Sequence, residues 1–395
     1  MKKNHIVLFL LFITSLPIFA SKPVTDKIIS FGNGSELIID TKTGLFSIKN
    51  KGEIILSHAN GAYKLNHRTY ESKDYQVRII SQVKVNDNFG EGQKYTLTSK
   101  AKGLPEMQQH FISYKGKPYL VFQLTIKGKK LKSNYLAPLI VNDAKVKDSK
   151  NTKTLFVPFD NDTFIRYDAP ELSSKEMTSS GVGAIYDGEK RNGWVLGALN
   201  HTVWKSAVRS AGSVNHISKL ELWSGHSDVN ITRDSIAHGF LTGNEIESPK
   251  MYIGYFSDWR DGMDEFAKAC KIADGQHIKK WDRATPIGWN SWGVIQEHLT
   301  YDKAVGVANY FDKEIPKFRN EDQTAFIDLD SFWDNMVSGG FTGDFSKLKE
   351  FVAYCKVRNL EPGVYWAPFT DWGFKGSKNR KAEGSEYTFD EMWIK

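Results

Sequence analysis

The stretch Gly288-Trp289-Asn290-Ser291-Trp292-Gly293 separates two parts of the sequence that have different patterns. Upstream of it, short alternating segments bounded by turn residues predict strands, and 120–126 is the clearest example. Downstream of it, strand-like and helix-like segments alternate. Because Pro286 and a polar segment come directly before it, we interpret this stretch as the first strand of a second domain.

The segments that follow predict a parallel sheet with helical crossovers. We expect strands at 287–292 and 324–330, helices at 301–310 and 345–358, and a third strand that begins at Pro362. This βαβ rhythm is typical of the α/β class and of the (β/α)8 TIM barrel, which has eight such units in roughly 250 residues. The fold class predicted is therefore a β-sandwich followed by a TIM barrel that is incomplete, with its first three strands only.

The length of 395 residues favours two domains over one. Many short strands across more than half of the chain predict a large antiparallel sandwich before the barrel. The expected organisation is a signal peptide at 1–20, an N-terminal β-sandwich at 21–257, a helix and linker at 258–286, and the N-terminal part of the catalytic barrel at 287–395.

The N-terminus has the pattern of a secretory signal. Lys2 and Lys3 precede an apolar run from Ile6 to Phe19, and Ala20 is a small residue at a suitable cleavage point. An uncleaved anchor is the alternative, although the run is short for a membrane span. We therefore expect a periplasmic or secreted protein without a stable membrane span after cleavage.

Composition and charge exclude several classes of protein. The net charge is +7, but no basic helix or aromatic-basic motif accompanies it, so we expect no nucleic-acid partner. Cys270 and Cys355 fall on apolar helix faces and are interpreted as buried small hydrophobes. The ten histidines are dispersed without metal-ligand spacing, so we expect no metal and no cofactor.

The residues that could carry chemistry cluster at the ends of the predicted barrel strands, at 289–292, 328–334 and 365–372. Each cluster combines aromatic rings with carboxylates or amides. A sugar presents an apolar C–H face to such a ring and hydroxyls to such polar groups. For Trp289, packing in the core is the alternative. The candidate substrate-binding residues are Trp289, Trp292, Asp328, Asp330, Tyr365 and Trp366.

These clusters resemble the melibiase-type α-galactosidases, the clan that joins glycoside hydrolase families 27 and 36. The segment 288–292 matches the family's opening barrel strand, and 362–366 resembles its third strand. Asp330-Ser331-Phe332-Trp333 stands where the family has an Asp-Asp-Gly-Trp signature. The resemblance implies that Trp292, Asp330 and Tyr365 line the subsite of the terminal sugar, where Trp292 packs on the ring and Asp330 accepts hydrogen bonds from distal hydroxyls.

The resemblance also implies an activity, retaining hydrolysis of a terminal α-linked sugar. Such enzymes use two carboxylates about 5–5.5 Å apart. In the family, the nucleophile follows a lysine at the fourth strand and the acid/base residue lies on the sixth. We therefore expect neither aspartate in this chain, assign no catalytic residue, and expect the chain to be inactive alone. The expected partner is an oligosaccharide or polysaccharide with terminal α-linked galactose.

Two departures leave the sugar open. Ser331 stands in place of the second aspartate of the family pair, and Phe332 stands in place of the glycine. A related α-glycosidase of other specificity, such as an α-glucosidase or an α-N-acetylgalactosaminidase, is one alternative. A non-catalytic carbohydrate-binding protein, in which the sandwich binds the glycan, is the other.

Overall fold

The structure is a computed structural model that describes residues 26–32, 34–159, 166–225, 239–275, 281–337 and 344–365. The chain forms two compact units, Met1–Ile278 and Lys279–Lys395, which are described separately below. The predicted signal peptide lies outside the described residues. The predicted domain boundaries at residues 20, 257 and 286 stay predictions. Within the described ranges, no helix has the length and apolar character needed to cross a bilayer.

The first unit is built from strands, with one α-helix near its end. Its strands are β1 (Lys27–Phe31), β2 (Ser35–Ile39), β3 (Phe46–Asn50), β4 (Glu53–Leu65), β5 (Arg68–Glu71), β6 (Val77–Asp87), β7 (Gly90–Lys100), β8 (Glu106–Tyr114), β9 (Leu120–Ser133), β10 (Leu136–Val141), β11 (Asp143–Ala144), β12 (Thr152–Thr154), β13 (Met177–Ser180), β14 (Val182–Asp187), β15 (Gly193–Ala198), β16 (Ser206–Ser213), β17 (His216–Ser224), β18 (Leu241–Glu247) and β19 (Met251–Phe256). The helix α1 spans Trp259–Asp274.

These strands form two antiparallel sheets. One has the order β1-β2-β3-β4-β10-β17-β16-β13, with β5 and β11 paired at its side. The other has the order β12-β14-β15-β19-β9-β8-β7-β6, with β18 paired to β9. Buried residues of both sheets share one apolar core, including Leu37 and Ile48 from the first sheet and Phe111, Phe122 and Trp194 from the second. The predicted two-sheet packing is therefore present in the first unit.

The helix α1 covers the second sheet on the face away from that core. Phe266 and Ala269 pack there against Tyr252 and Val195. Asp258 caps the helix, because its side chain accepts a hydrogen bond from the amide of Arg260, while Asp261 lies in the first turn.

The second unit is a small parallel sheet with helices between its strands. It contains β20 (Gly288–Asn290), α2 (Tyr301–Lys313), β21 (Ala325–Leu329), α3 (Ser346–Lys356) and β22 (Leu360–Val364). Both β20 and β22 pair with β21 in parallel. The predicted alternation of strands and helices is therefore present, but an eight-stranded barrel is not shown.

The boundaries of this unit differ from the predicted ones in one instructive place. The strand predicted at 287–292 ends at Asn290, and Ser291–Gly293 is a 3₁₀ turn. The reason is local, because the Asn290 side chain accepts a hydrogen bond from the amide of Trp292 and caps that turn. The helix α2 begins at Tyr301 as predicted, and the side chain of Thr300 caps it.

The core of the second unit lies on one face of the sheet. Ala325, Ile327 and Leu329 alternate along β21 toward that core, where α2 contributes Phe311 and α3 contributes Phe351. Cys355 is buried in the same core and Cys270 packs beside α1's core, so both cysteines act as small hydrophobes and neither is in a disulfide. The opposite face of β21 carries Phe326 and Asp328.

Gly288 allows β20 to approach β21 closely. A Cβ at this position would lie 2.0 Å from the carbonyl oxygen of Phe326, which is backbone and cannot move aside alone. Gly306 in α2 is the natural control, because a Cβ there would meet nothing within 4 Å.

We expect Gly288→Ala to destabilise the second unit by about 1–3 kcal/mol through overpacking. Gly306→Ala should instead stabilise it by about 1 kcal/mol, since alanine is the better helix former. Differential scanning calorimetry should show a lower unfolding temperature of the second unit for Gly288→Ala and a higher one for Gly306→Ala. If Gly288→Ala unfolds at the same temperature as the wild type, the close approach of β20 to β21 is contradicted.

His110 is a buried neutral imidazole in the second sheet of the first unit. It is only 5% exposed, its Nδ1 lies 2.9 Å from Thr96 Oγ1, and its Nε2 lies 3.2 Å from Thr125 Oγ1. Burial, assisted by the charges of Lys94 and Lys127, lowers the pKa of His110 from 6.5 to about 4.

Because the pKa is lower in the folded state, His110 should destabilise the fold as pH falls from 6.5 toward 4. The loss should reach about 2 kcal/mol at about pH 5 relative to about pH 7.5. Hydrogen exchange of the β8 and β9 amides would measure it. His110→Gln should remove this part of the pH dependence, and an unchanged slope in that variant would refute the assignment.

Candidate functional site

The candidate site lies where the three parallel strands of the second unit end. Parallel strands bring their carboxyl ends to the same edge of a sheet, where ligands of α/β folds usually bind. The register aligns Asn290 of β20, Asp328 of β21 and Gly363 of β22 in one row. Asp330 follows directly after β21.

Asp330 is held in place by the turn that follows β20. Its Oδ2 accepts a hydrogen bond from Asn290 Nδ2 at 3.0 Å, and its Oδ1 accepts one from the amide of Ser331 at 2.7 Å. Its own amide donates to the Oγ of Ser291, which is completely buried, at 2.9 Å. Since a carboxylate can accept about four hydrogen bonds, the two oxygens retain capacity for a ligand.

Asp328 is half-buried on the same face of β21 as Asp330. Its Oδ1 lies against Gly363, where a Cβ would be only 2.2 Å away, so glycine leaves the space that this carboxylate occupies. Burial first, and then the negative charge of Asp330, raises the pKa of Asp328 above its usual value. The two carboxylates therefore form an electronegative row that would attract hydroxyl donors.

Two aromatic rings lie side by side next to this row. The rings of Trp292 and Phe332 have centroids 6.3 Å apart and planes inclined by only 9°. Trp292 is 45% exposed and Phe332 is 41% exposed. Phe332 has φ of 72°, in the left-handed region that favours glycine. Together these rings form an exposed apolar surface, here called the aromatic platform.

Tyr365 lies just past β22. Its amide donates to the carbonyl of Leu329 at 2.7 Å, which extends the pairing of β22 with β21. Its carbonyl accepts a hydrogen bond from the indole Nε1 of Trp333 at 2.7 Å. The Tyr365 side chain is 43% exposed, whereas Trp333 is buried and packs against Phe345. Trp333 therefore ties the two strand ends together.

Not all the candidate residues come together. Trp289 pairs in register with Ile327 and packs against the apolar core, on the other face from Asn290 and Asp328. Core packing, the alternative considered for Trp289, agrees with this position. Trp366 lies outside the described residues. Trp292, Asp330 and Tyr365 follow the ends of adjoining strands, and Asp328 is the next-to-last residue of β21.

The arrangement can bind a ligand that has both an apolar face and hydroxyl groups. The carboxylates of Asp328 and Asp330 provide acceptors, and the aromatic platform provides dispersion and C–H contacts. Within the parts of the chain that the structure describes, no group of three or more histidine, cysteine, aspartate or glutamate residues could hold a metal ion.

The sequence patterns include four further residues that shape this site but assign none of them a role in it. Asn290 and Ser291 orient Asp330, Gly363 makes room for Asp328, and Phe332 completes the platform. The sequence carried a signal for the first two, because an asparagine followed by a serine directly after a strand is typical of a side-chain-capped turn. The left-handed backbone of Phe332 had no such signal.

The fold resembles those of solved glycoside hydrolases. A β-arabinopyranosidase matches with a TM-score of 0.58 and 11% identity, over 88% of this chain and 56% of that one. A glycoside hydrolase family 97 enzyme from Pseudoalteromonas sp. strain K8, in complex with acarbose, matches with a TM-score of 0.55 and 10% identity, over 85% and 53%. A GH36 alpha-galactosidase from Geobacillus stearothermophilus matches with a TM-score of 0.49 and 11% identity, over 87% of this chain and 56% of that one.

These matches define a glycosidase-related fold and nothing finer. At 10–11% identity they concern the fold alone. The chain spans about half of the length of these structures, 56% and 53%. No family model and no curated protein matches the sequence.

Asn290 should hold Asp330 in place through its hydrogen bond, and two substitutions can show it. Asn290→Ala removes the hydrogen bond to Asp330 and should cost about 1 kcal/mol at every pH. Asn290→Asp places a second carboxylate against Asp330, which should raise the pKa of the pair in the folded state. This variant should therefore lose stability as pH rises above about 4.

Thermal unfolding of both variants between about pH 4 and about pH 7 would measure this difference. If Asn290→Asp shows the same pH dependence as Asn290→Ala, the hydrogen bond between Asn290 and Asp330 is not the contact described here.

Proposed function

We propose that the chain belongs to an exported glycoside hydrolase of the α-galactosidase kind and holds the terminal sugar of an α-linked glycan. The observation that supports this most directly is the juxtaposition of the oriented carboxylate of Asp330 with the aromatic platform of Trp292 and Phe332. Asp330 would accept hydrogen bonds from sugar hydroxyls, and the platform would pack on the C–H face.

The remaining contacts of the proposed site follow from the same strand ends. Asp328, with its raised pKa, would exchange hydrogen bonds with a hydroxyl deeper in the site. Tyr365 would border the sugar from the end of β22. Trp289 has no place in this proposal, because it packs in the core.

The proposed reaction is hydrolysis with retention, which requires two carboxylates about 5–5.5 Å apart on either side of the scissile bond. Asp328 lies near the end of β21 and Asp330 directly follows that strand, so both carboxylates come from the same strand end and do not flank a sugar ring. We therefore give them a binding role, and assign the reaction to the whole enzyme on a proposed (β/α)8 barrel.

The sugar itself is part of the proposal. Galactose follows from the resemblance of 288–292 to the α-galactosidases, and Ser331 is the feature that favours a related α-glycosidase of other specificity. Periplasmic or secreted localisation follows from the N-terminal signal pattern alone.

A specific observation favours a second candidate, carbohydrate binding by the first unit. A groove of about 550 Å³ in that unit is lined by Trp204, Phe240, His201 and Lys205. Phe240 is 45% exposed, and Trp204 Nε1 donates to the carbonyl of Glu247 at 2.7 Å. Aromatic rings beside polar groups suit a glycan here too.

The test of the main proposal is binding of three probes by the full chain: methyl α-D-galactopyranoside, methyl α-D-glucopyranoside and methyl β-L-arabinopyranoside. Saturation-transfer difference NMR and titration would give the affinities. We expect Asp330→Asn and Trp292→Ala each to weaken binding of the preferred probe by about tenfold or more, which is about 1.4 kcal/mol.

Matched controls come from the same unit. Trp281→Ala removes a tryptophan that is 58% exposed outside the site, and Asp302→Asn changes an exposed aspartate in the first turn of α2. Both should bind as the wild type does. If binding is instead lost in Phe240→Ala and kept in Trp292→Ala, the first unit is the binding module and the main proposal is wrong.

A further inference from the structure

Phe332 combines two features that cost stability. Its φ of 72° is a left-handed conformation that a bulky side chain rarely adopts, and its ring is 41% exposed to water. Such outliers persist where the surrounding structure enforces them, and they concentrate at ligand sites. The position of Phe332, two residues after Asp330, therefore invites a functional explanation.

The left-handed conformation determines where the ring lies. Phe332 lies between the end of β21 and the 3₁₀ turn Trp333–Met336, so the chain changes direction at this residue. This change of direction sets the ring parallel to that of Trp292, which comes from the turn after β20. Two strand ends thus contribute one ring each to the platform.

The spacing of the two rings shows how a ligand could use them. A sugar between two aromatic planes needs a carbon contact of about 3.5–4.0 Å on each side, or about 7–8 Å in all. The centroids are only 6.3 Å apart, so a sugar cannot enter between the rings. A sugar would therefore contact the exposed parts of these two rings from outside the pair.

The polar groups beside the platform are few. Of the two residues between Asp330 and Trp333, only Ser331 has a side chain that can form a hydrogen bond. The backbone amide of Ser331 already donates to Asp330. This end of the site therefore combines one oriented carboxylate with a large apolar area. That balance suits a neutral pyranose bound through an uninterrupted C–H face.

We infer that Phe332 is a ligand-contacting residue, and that together with Trp292 it binds the C–H face of a neutral terminal pyranose. This inference rests on the proposed function and adds a residue and a sugar surface to it. The conformation of Phe332 is the means by which the ring reaches the platform.

Three substitutions separate the ring from the backbone. Phe332→Gly removes the ring and suits the left-handed conformation, Phe332→Ala removes the ring and keeps an L side chain there, and Phe332→Tyr keeps the ring. We expect the glycine and alanine variants to bind the preferred probe at least about fivefold more weakly, and the tyrosine variant to bind within about twofold of wild type. The glycine variant should unfold at a higher temperature than the alanine variant.

Saturation-transfer difference NMR on the full chain, with irradiation of the aromatic protons and the three methyl glycosides as probes, provides the readout. Transfer to the sugar C–H protons should fall in the glycine and alanine variants. If both bind as the wild type does while Trp292→Ala and Asp330→Asn lose binding, the inference is wrong and the proposed function stands. If sugar binding is lost in Phe332→Gly but kept in Phe332→Ala, the inference is also wrong. If the wild type does not bind any of the probes, both the inference and the proposed function are wrong.

Discussion

The close approach of β20, β21 and β22 is the constraint on which the candidate site depends. Gly288 lets β20 lie against the backbone of β21, and Gly363 leaves space beside Asp328. Side chains at these two positions would push the strands apart or displace the carboxylate. Because parallel register then aligns the strand ends, Asn290, Asp328 and Asp330 meet at one edge. Every polar contact described for the site follows from that alignment.

The hydrogen bonds around Asp330 turn this alignment into a defined geometry. Asn290 binds one carboxylate oxygen and also caps the turn that carries Trp292, so a single side chain orients both the acceptor and the aromatic ring. The buried Ser291 accepts from the amide of Asp330 and leaves no unpaired donor at the strand end. A site built in this way is pre-organised, which reduces the entropy that ligand binding has to overcome.

The first unit supplies a large, independent core. Its two sheets bury aromatic and aliphatic residues between them, and α1 covers the second sheet from outside. The buried imidazole of His110 in this unit is paired locally, between the hydroxyls of Thr96 and Thr125. The similarity in fold to two solved glycoside hydrolases covers 88% and 85% of the chain. Function in such folds still has to be argued from the site.

The features that depend on local periodicity could be predicted from the amino-acid sequence. Alternating segments predicted the strands of the first unit, and the alternation of strand and helix predicted the parallel sheet, because side-chain period follows backbone conformation. It also predicted that aromatic rings and carboxylates would cluster at strand ends. Only the tertiary structure decided which face each residue uses: Trp289 packs in the core while Asn290 reaches Asp330, and the left-handed turn at Phe332 completes the platform. Register and backbone torsion at a single residue depend on distant neighbours, so no local pattern carries them.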